Sequence, residues 1–431
     1  MDLDTTSRSA SKAMTVLFAV ALMNYIDRSL LSILQVDIKK DLGLSDTQLG
    51  ALTGLAFGIF YSTAALPLSR LADRVRRTWM VAACLAVWTT MTGLTSLAGS
   101  FVALALLRIG VAFGEAGCTP ATHSLLCDHF PPKRRGAVFG LWAITGPVGI
   151  MLGIFAGGWL RVSWRASFVV VGAIGWLLVP VILWLKEPRR GEFEITLAAT
   201  ETPPQPPSFM AALKILMSQR AFRLLITAAT LQTFAVASMQ NWIPPYYSRI
   251  YHLPLPQVAT YAGLIMGLGG GAGALFGGMI IDIMARRDPR WYSRAPALAT
   301  LLSVPLALGQ FFASTAGLSA FLGVLTMLTA TIYVAPLYVT AQSLVPSSMR
   351  GFTSAVVLLI PNILGVAPGP FFVGFMSDTL TRLLGDGATA LRYSISTSLL
   401  MSVLAAITLF RVSNKGPAPK GKIVAEIARV N

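Results

Sequence analysis

The sequence predicts an all-α membrane protein of twelve transmembrane helices, arranged as two six-helix pseudo-repeats. Three observations carry that prediction. The 431 residues are 55% hydrophobic and only 12% charged, where a soluble domain carries about a quarter charged residues. Apolar stretches of roughly 20 residues, enough to cross a hydrocarbon core as a helix, recur twelve times. Short motifs of the first half also return in the second half in the same order.

Taken in order, a polar segment over 1–12 (MDLDTTSRSASK) lacks a small-residue cleavage site before the first apolar run, so it reads as a cytoplasmic leader. Six spans follow near 13–35, 47–70, 79–98, 101–127, 136–160 and 166–186, forming a first bundle over 13–186. Residues 187–219 mix charge with proline and read as a cytoplasmic linker. At its end Ser208 is placed to cap an amphipathic surface helix, FMAALKILM. The second bundle, 220–412, holds spans near 221–248, 257–285, 295–314, 317–343, 351–378 and 390–411, and 413–431 is a cytoplasmic tail. An even number of spans puts both termini on one face.

The net charge of +16 would suggest nucleic acid if it were spread evenly, but it is not. Arg70, Arg74, Arg76, Arg77, Lys133, Arg134, Arg135, Arg286, Arg287, Arg290, Arg294 and Arg350 all fall in loops on one side. That bias marks the cytoplasmic face of a multi-pass protein, expected in a bacterial inner membrane, and removes the argument for a nucleic-acid partner. Cys84, Cys118 and Cys127 lie in or at the ends of apolar spans, which argues against a disulfide framework.

The repeat is carried by three pairs of motifs. LADRVRR (71–77) matches IIDIMARR (280–287), FPPKRRG (130–136) matches VPSSMRG (345–351), and Gly146-Pro147 matches Gly369-Pro370. Around Gly146, Pro147 and Gly149, small residues allow close helix approach and the proline loosens one backbone hydrogen bond. Packing is the plain reading of that stripe, and a bend used in alternating access the functional one.

Charges inside apolar spans are where chemistry is expected. Each costs on the order of 2.5–3.5 kcal/mol at mid-span, so an idle one is expensive. Span one carries Asp27 and Arg28 in NYIDR, and span four carries Arg108 and Glu115. Seven residues apart, Arg108 and Glu115 share a helix face about 10 Å long. Asp27 can pair with Arg108, or Glu115 with Arg28, and the sequence does not choose between these pairings. Burial and a neighbouring arginine pull a carboxylate's protonation in opposite directions, so a carboxylate poised between them can change charge as its partner moves. Asp27 and Glu115 are therefore candidate proton carriers, while Arg28 and Arg108 either neutralise them or hold an anion. The plain alternative is a structural ion pair that fixes helix register.

At the cytoplasmic ends, Asp73 with Arg74 and Asp282 with Arg286, joined by Asp128, read as a gate that latches one state. Gln232, Gln240, Asn241, Tyr333 and Asn362 are candidate polar lining in the second half, with Phe or Met of spans one, four, seven and ten as apolar wall. The glycine run 267–273 follows no strand and precedes no Lys-Ser/Thr, so it packs helices and cradles no phosphate. His123, His129 and His252 lack metal-ligand spacing, and no nucleophile–base pair stands out. Neither an enzyme nor a cofactor is expected; the energy source is the proton gradient.

The twelve-span pattern with LADRVRR after span two resembles the major facilitator superfamily, although Ser69 and Arg76 replace two of its usual glycines. NYIDR, RIGVAFGEAGCTPA, DHFPPKRRG and LGVAPGPFFVGFMSD resemble its spinster-like branch over nearly the whole chain. Val366 departs where that branch often has an acid. The resemblance implies a major facilitator fold and movement of lysophospholipids or sphingolipids, in several cases driven by protons. It maps the branch's charged pairs onto Asp27 with Arg28 and Arg108 with Glu115. The expected protein is thus a monomeric, proton-coupled carrier among membrane lipids that moves an amphiphilic anionic lipid. Two alternatives stand beside it: a carrier of a water-soluble organic anion or drug, and a non-transporting membrane receptor or scaffold.

Overall fold

Twelve helices long and apolar enough to cross a membrane follow one another along the chain. In a computed structural model, residues 3–160, 163–190, 209–346 and 349–413 are described. The first six spans run Ala10–Leu42, Asp46–Ala72, Arg77–Thr95, Phe101–His129, Pro132–Trp159 and Trp164–Leu183. The next six run Arg220–Ile250, Leu255–Ala285, Trp291–Phe312, Ala316–Ser343, Arg350–Leu384 and Gly387–Val412. All-α architecture and the number of spans agree with the sequence expectation. Span eleven outruns its expected end because helical bonding continues past the apolar stretch until Gly385, whose φ of +72° lets it close the helix left-handed. Ser45 starts span two by a reciprocal capping box with Gln48, and Ser100, Ser163 and Thr315 cap spans four, six and ten.

Packing divides the chain into two compact units. Unit 1 is Met1–Glu201 with Tyr247–Gly263, and unit 2 is Thr202–Tyr246 with Leu264–Asn431. The core of unit 1 gathers Leu17, Phe57, Leu85, Trp88, Val111 and Leu125. The core of unit 2 gathers Phe222, Ile226, Tyr333, Leu337, Val356 and Leu409. The expected surface helix is present at Phe209–Ser218, with Ala212, Ile215 and Leu216 buried against that core. Ser208, its expected cap, lies outside the described residues, as do most of the linker and the tail.

Both halves interrupt their helices at matching spans, and proline explains most of the interruptions. A proline has no N–H for the carbonyl four residues earlier and its ring crowds that carbonyl. Span four breaks at Gly117, just after Ala116, the residue four before Pro120. Span five breaks at Ile144, after Ala143, four before Pro147. Span ten breaks at Ile332 and Tyr333, with Ile332 four before Pro336. In span eleven a wider π-type segment, Asn362–Val366, ends four residues before Pro370. Spans two and eight carry π-type segments at Ala51–Leu55 and Leu264–Gly269.

The glycine stripe of span five packs directly on span one. A Cβ placed on Gly149 would lie 2.6 Å from Tyr25 Cβ, and one on Gly153 would lie 2.6 Å from the Ile26 carbonyl oxygen. Span eleven uses Gly365 and Gly369 in the same way against the Thr230 and Phe234 carbonyls of span seven. Span one is thereby clamped through Tyr25 to Ser29, the stretch that holds the charged pair.

Candidate functional site

Unit 1 brings all four intramembrane charges together. Span one delivers Asp27 and Arg28 in different directions, because adjacent helix positions are about 100° apart. Arg28 Nε donates to Glu115 Oε2 at 2.7 Å, and Arg108 Nη1 lies 4.0 Å from Asp27 Oδ1. Both pairings left open by the sequence are therefore made, one tight and one loose. Thr92 of span three donates its hydroxyl to Asp27 Oδ2 at 2.6 Å.

The four groups differ in access. The Glu115, Asp27 and Arg108 residues are 0%, 1% and 3% exposed, whereas the Arg28 side chain is 28% exposed. Arg28 is the group of the four that an incoming molecule can reach. Its guanidinium carbon sits 4.6 Å from the centres of both the Phe57 and Tyr61 rings and 5.7 Å from Tyr25. Phe57 also lies under Arg108, at 5.1 Å, so one ring contacts both cations. Phe57 and Tyr61 are one helical turn apart and stacked, 5.5 Å between centres. Behind this front, Asp27 Oδ1, Glu115 Oε1 and the Nε and Nη1 of Arg108 are buried with no hydrogen-bond partner among the described protein residues.

The aromatic wall departs from expectation. Its rings come from Phe57 and Tyr61 of span two with Tyr25 of span one, where the sequence pointed to Phe or Met of spans one, four, seven and ten. The spacing of two aromatics one turn apart, just after a stretch facing span four, is the signal that could have found them. Thr92 leaves no such trace among the other threonines of span three.

Within each unit the expected cytoplasmic gate residues have the following local partners. Among the described residues Asp73 and Arg74 make no ion pair; the Asp73 carbonyl, with those of Ala72 and Val75, accepts from Arg190. Asp282 accepts the Tyr292 hydroxyl at 2.8 Å, and Arg286 has no ion pair among the described residues. The charge network of unit 1 is centred on Arg77, which pairs with Asp128 and with Glu187 and donates to Ser124. Glu187 accepts from the Arg77 amide at 2.9 Å and the Thr78 hydroxyl at 2.9 Å. Sequence reasoning missed Glu187 because it sits in what reads as solvated linker.

In unit 2 the corresponding spans carry no charge cluster. Gln232 donates to the Ala330 carbonyl at 2.9 Å, next to the break in span ten, and Thr233 shares a hydrogen bond with Tyr333 at 2.8 Å. No group of His, Cys, Asp or Glu that could hold a metal occurs among the described residues.

A family model described as Major Facilitator Superfamily matches residues 17–370. The chain belongs to that superfamily, in its spinster-like branch. A bacterial homolog of the human lysosomal transporter Spinster, solved in an inward-facing and unoccupied conformation, matches with a TM-score of 0.84 at 25% identity, over 94% of this chain and 97% of that one. An MFS-type efflux pump of Mycolicibacterium smegmatis is 33% identical over 88% of this chain and 87% of its own length. The protein spinster of Drosophila melanogaster is 28% identical over 89% of this chain and 64% of its own length. These matches make the molecule a multi-pass transporter of this superfamily and not an enzyme.

Proposed function

We propose that the protein is a proton-coupled secondary transporter that moves an amphiphilic anion, of lysophospholipid or sphingolipid type, by alternating access. The observation that carries this reading is the asymmetry of access in the charged site. One cation, Arg28, faces outward between aromatic rings while its countercharge Glu115 is fully buried behind it. An anionic head group meets the guanidinium as a charge-assisted acceptor, and an apolar chain beside it meets Phe57, Tyr61 and Tyr25.

Charge balance then links cargo to protons. Two carboxylates and two guanidiniums cancel, so the empty site is neutral in a low-dielectric surrounding. A bound monoanion competes with Glu115 for Arg28 and leaves one negative charge without a partner. Uptake of one proton by Glu115 or Asp27 restores neutrality, and the cation of the loose pair, Arg108, is free to turn toward whichever carboxylate stays charged. On this account the anion and a proton occupy the site together. Both termini lie in the cytoplasm of a bacterial inner membrane, the side of the basic loops.

A second reading has its own support. Relatives include a probable L-galactonate transporter of Escherichia coli, 27% identical over 65% of this chain, and a hexuronate transporter of Bacillus subtilis, 27% identical over 84%. Those names concern water-soluble sugar acids, which Arg28 could also bind. Uptake into proteoliposomes separates the readings, using lysophosphatidylglycerol, sphingosine phosphate and galactonate with and without a pH gradient. Gradient-driven movement of the lipids, abolished in Asp27→Asn or Glu115→Gln, is the expected result. Movement of galactonate alone selects the second reading, and parental transport by both variants sinks the proton assignment.

A further inference from the structure

Span nine, in unit 2, has one packed face and one open face. Ala297, Thr300, Ser303, Ala307, Gln310 and Phe311 are buried, at the spacing of a single helix face. Leu298, Leu301, Leu302, Leu308 and Phe312, which fall between them, are large apolar side chains left exposed. The open face is not a smooth ridge. Leu298, Leu301, Leu302, Val304 and Pro305 line an apolar groove of about 480 Å³, the size of a small-molecule site. Pro305 lies inside the helix, where it offers no N–H to the Leu301 carbonyl and loosens the local turn.

A cation stands at one end of this face. Span nine follows the basic loop that holds Arg286, Arg287 and Arg290, so Phe312 ends it on the side away from the basic loops. There Arg392, near the start of span twelve, sets its guanidinium carbon 5.6 Å from the centre of the Phe312 ring. The Tyr393 ring is exposed, with its centre 5.9 Å from that of Phe312. Arg392 Nε is buried, and the guanidinium has neither an ion pair nor a hydrogen-bond acceptor among the described residues. Its neighbour Asp386 feels the Arg392 charge, but the Asp386 carboxylate accepts from the Ala388 and Thr389 amides at the head of span twelve. By contrast, Arg165 and Arg249 of unit 1 pair with Asp41 and Asp46.

We infer that this face of unit 2 holds a phospholipid of the leaflet opposite the basic loops, its phosphate on Arg392 and one acyl chain in the groove beside Pro305. A buried guanidinium N–H calls for an acceptor, and a phosphate oxygen is the strong acceptor that a bilayer supplies at its edge. The lengths agree. At about 1.5 Å per residue, Leu302 lies about 15 Å from Phe312, which is the depth of one leaflet of the hydrocarbon core. A chain descending from a phosphate at Arg392 therefore ends in the groove, and Phe312 and Tyr393 flank it at head-group level as interfacial aromatics do. Exposed apolar surface alone does not make such a site. Span six exposes Val169, Val170, Ile174 and Leu177, but the arginine at its head, Arg165, already has Asp41. The inference is independent of the cargo and of proton coupling, because the charged cluster of unit 1 takes no part in it.

The test is photolabelling of the full-length protein in detergent, with no pH gradient. The probe is phosphatidylglycerol carrying a diazirine near the end of one acyl chain, added at limiting concentration, and the adducts are mapped by peptide mass spectrometry. Labelling is expected to concentrate on residues 298–305, well above that on residues 169–177 of span six. Arg392→Gln should lower it roughly tenfold, the worth of a hydrogen bond to a charged group. Arg392→Lys should keep most of it, since an ammonium still meets a phosphate as a point charge. Diacylglycerol with the same diazirine chain but no phosphate should label the groove roughly tenfold less than the phospholipid. Should Arg392→Gln fail to fold, Leu302→Trp fills the groove with Arg392 in place and is expected to displace the chain, lowering the labelling to a similar degree. Labelling no heavier on 298–305 than on span six overturns the inference. So does parental labelling in Arg392→Gln or Leu302→Trp, or equal labelling by diacylglycerol.

Discussion

The two six-helix halves share their helix defects but not their charges. Spans four and ten both break, spans five and eleven are both disturbed ahead of a Gly-Pro pair, and spans two and eight both carry a π-type segment. In span one and span four the chain then places Asp27, Arg28, Arg108 and Glu115, whereas span seven and span ten offer Gln232, Thr233 and Tyr333. The defects belong to the scaffold and were kept in both copies; the titratable chemistry belongs to one. What this difference teaches is a division of labour. On the proposed reading, both halves bend while the change of charge is sensed in the first.

The strongest way to break that comparison is to remove one buried polar side chain from each half. Arg28→Gln leaves Glu115 buried with its tight partner gone, and removing one partner of a buried pair costs about 3–5 kcal/mol. Proton-driven uptake should fall to background and thermal stability should drop clearly. Gln232→Leu removes one hydrogen bond to the Ala330 carbonyl, costing about 1 kcal/mol, and should leave the proton dependence of uptake intact. If Gln232→Leu also erased the response to a pH gradient, titration would not be confined to the first half.

A second experiment tests the shared part. Gly153→Val drives a side chain into the Ile26 carbonyl, and Gly369→Val drives one into the Phe234 carbonyl at 2.7 Å. Overpacking against backbone typically costs about 1–3 kcal/mol, and although the Ser29 and Ser238 hydroxyls also near these sites can turn away, the two backbone carbonyls cannot. Both variants should melt several degrees lower in detergent by similar amounts. A marked loss in one and none in the other would show that the halves do not use their glycines alike.

The repeat, the twelve spans and the four intramembrane charges were all legible in the sequence, because each rests on composition or spacing along one helix. Which charges meet was not legible, since Arg108 and Glu115 sit on one face and each could reach either neighbour on span one. The structure separates them through the angle between Asp27 and Arg28: one turns toward Thr92 and Arg108, the other toward Phe57, Tyr61 and Glu115. Pro120 and Pro336 were readable as break points by the same rule that applies to Pro147, yet each looks ordinary until its partner half is aligned beside it. Phe57 and Tyr61 were hidden because aromatic residues in an apolar span are mostly lipid-facing or core. Asp46 and Arg249 were hidden for a different reason: each lies at a helix end, where a charge needs no explanation.

A smaller effect sharpens the reading of the aromatic front. Phe57→Leu keeps the apolar volume but removes the ring that contacts both guanidiniums, a loss of about 1–2 kcal/mol for a desolvated cation–π contact. Cargo affinity should weaken roughly tenfold, and Phe57→Tyr should restore most of it, because the ring face is retained. A leucine variant with parental affinity would reduce the ring to plain packing.

The smallest expected effect lies at the membrane edge of the first half, where Glu187 ties the start of the linker to span three. Burial pushes the Glu187 carboxyl up, but hydrogen bonds from the Arg77 amide, the Thr78 hydroxyl and the Arg77 guanidinium outweigh it and hold the group below its ordinary value of 4.5. A carboxylate with a lowered value in the folded state stabilises fully above the unfolded value, and that contribution disappears as pH falls through the folded value. The parent should therefore melt higher than Glu187→Gln at neutral pH, by an amount matching about 1 kcal/mol or less for a partly exposed ion pair. The two melting curves should converge as pH drops below 4.5. A gap between the two melting temperatures that stays the same down to about pH 3 would mean that the Arg77 network does not hold Glu187 in its charged form.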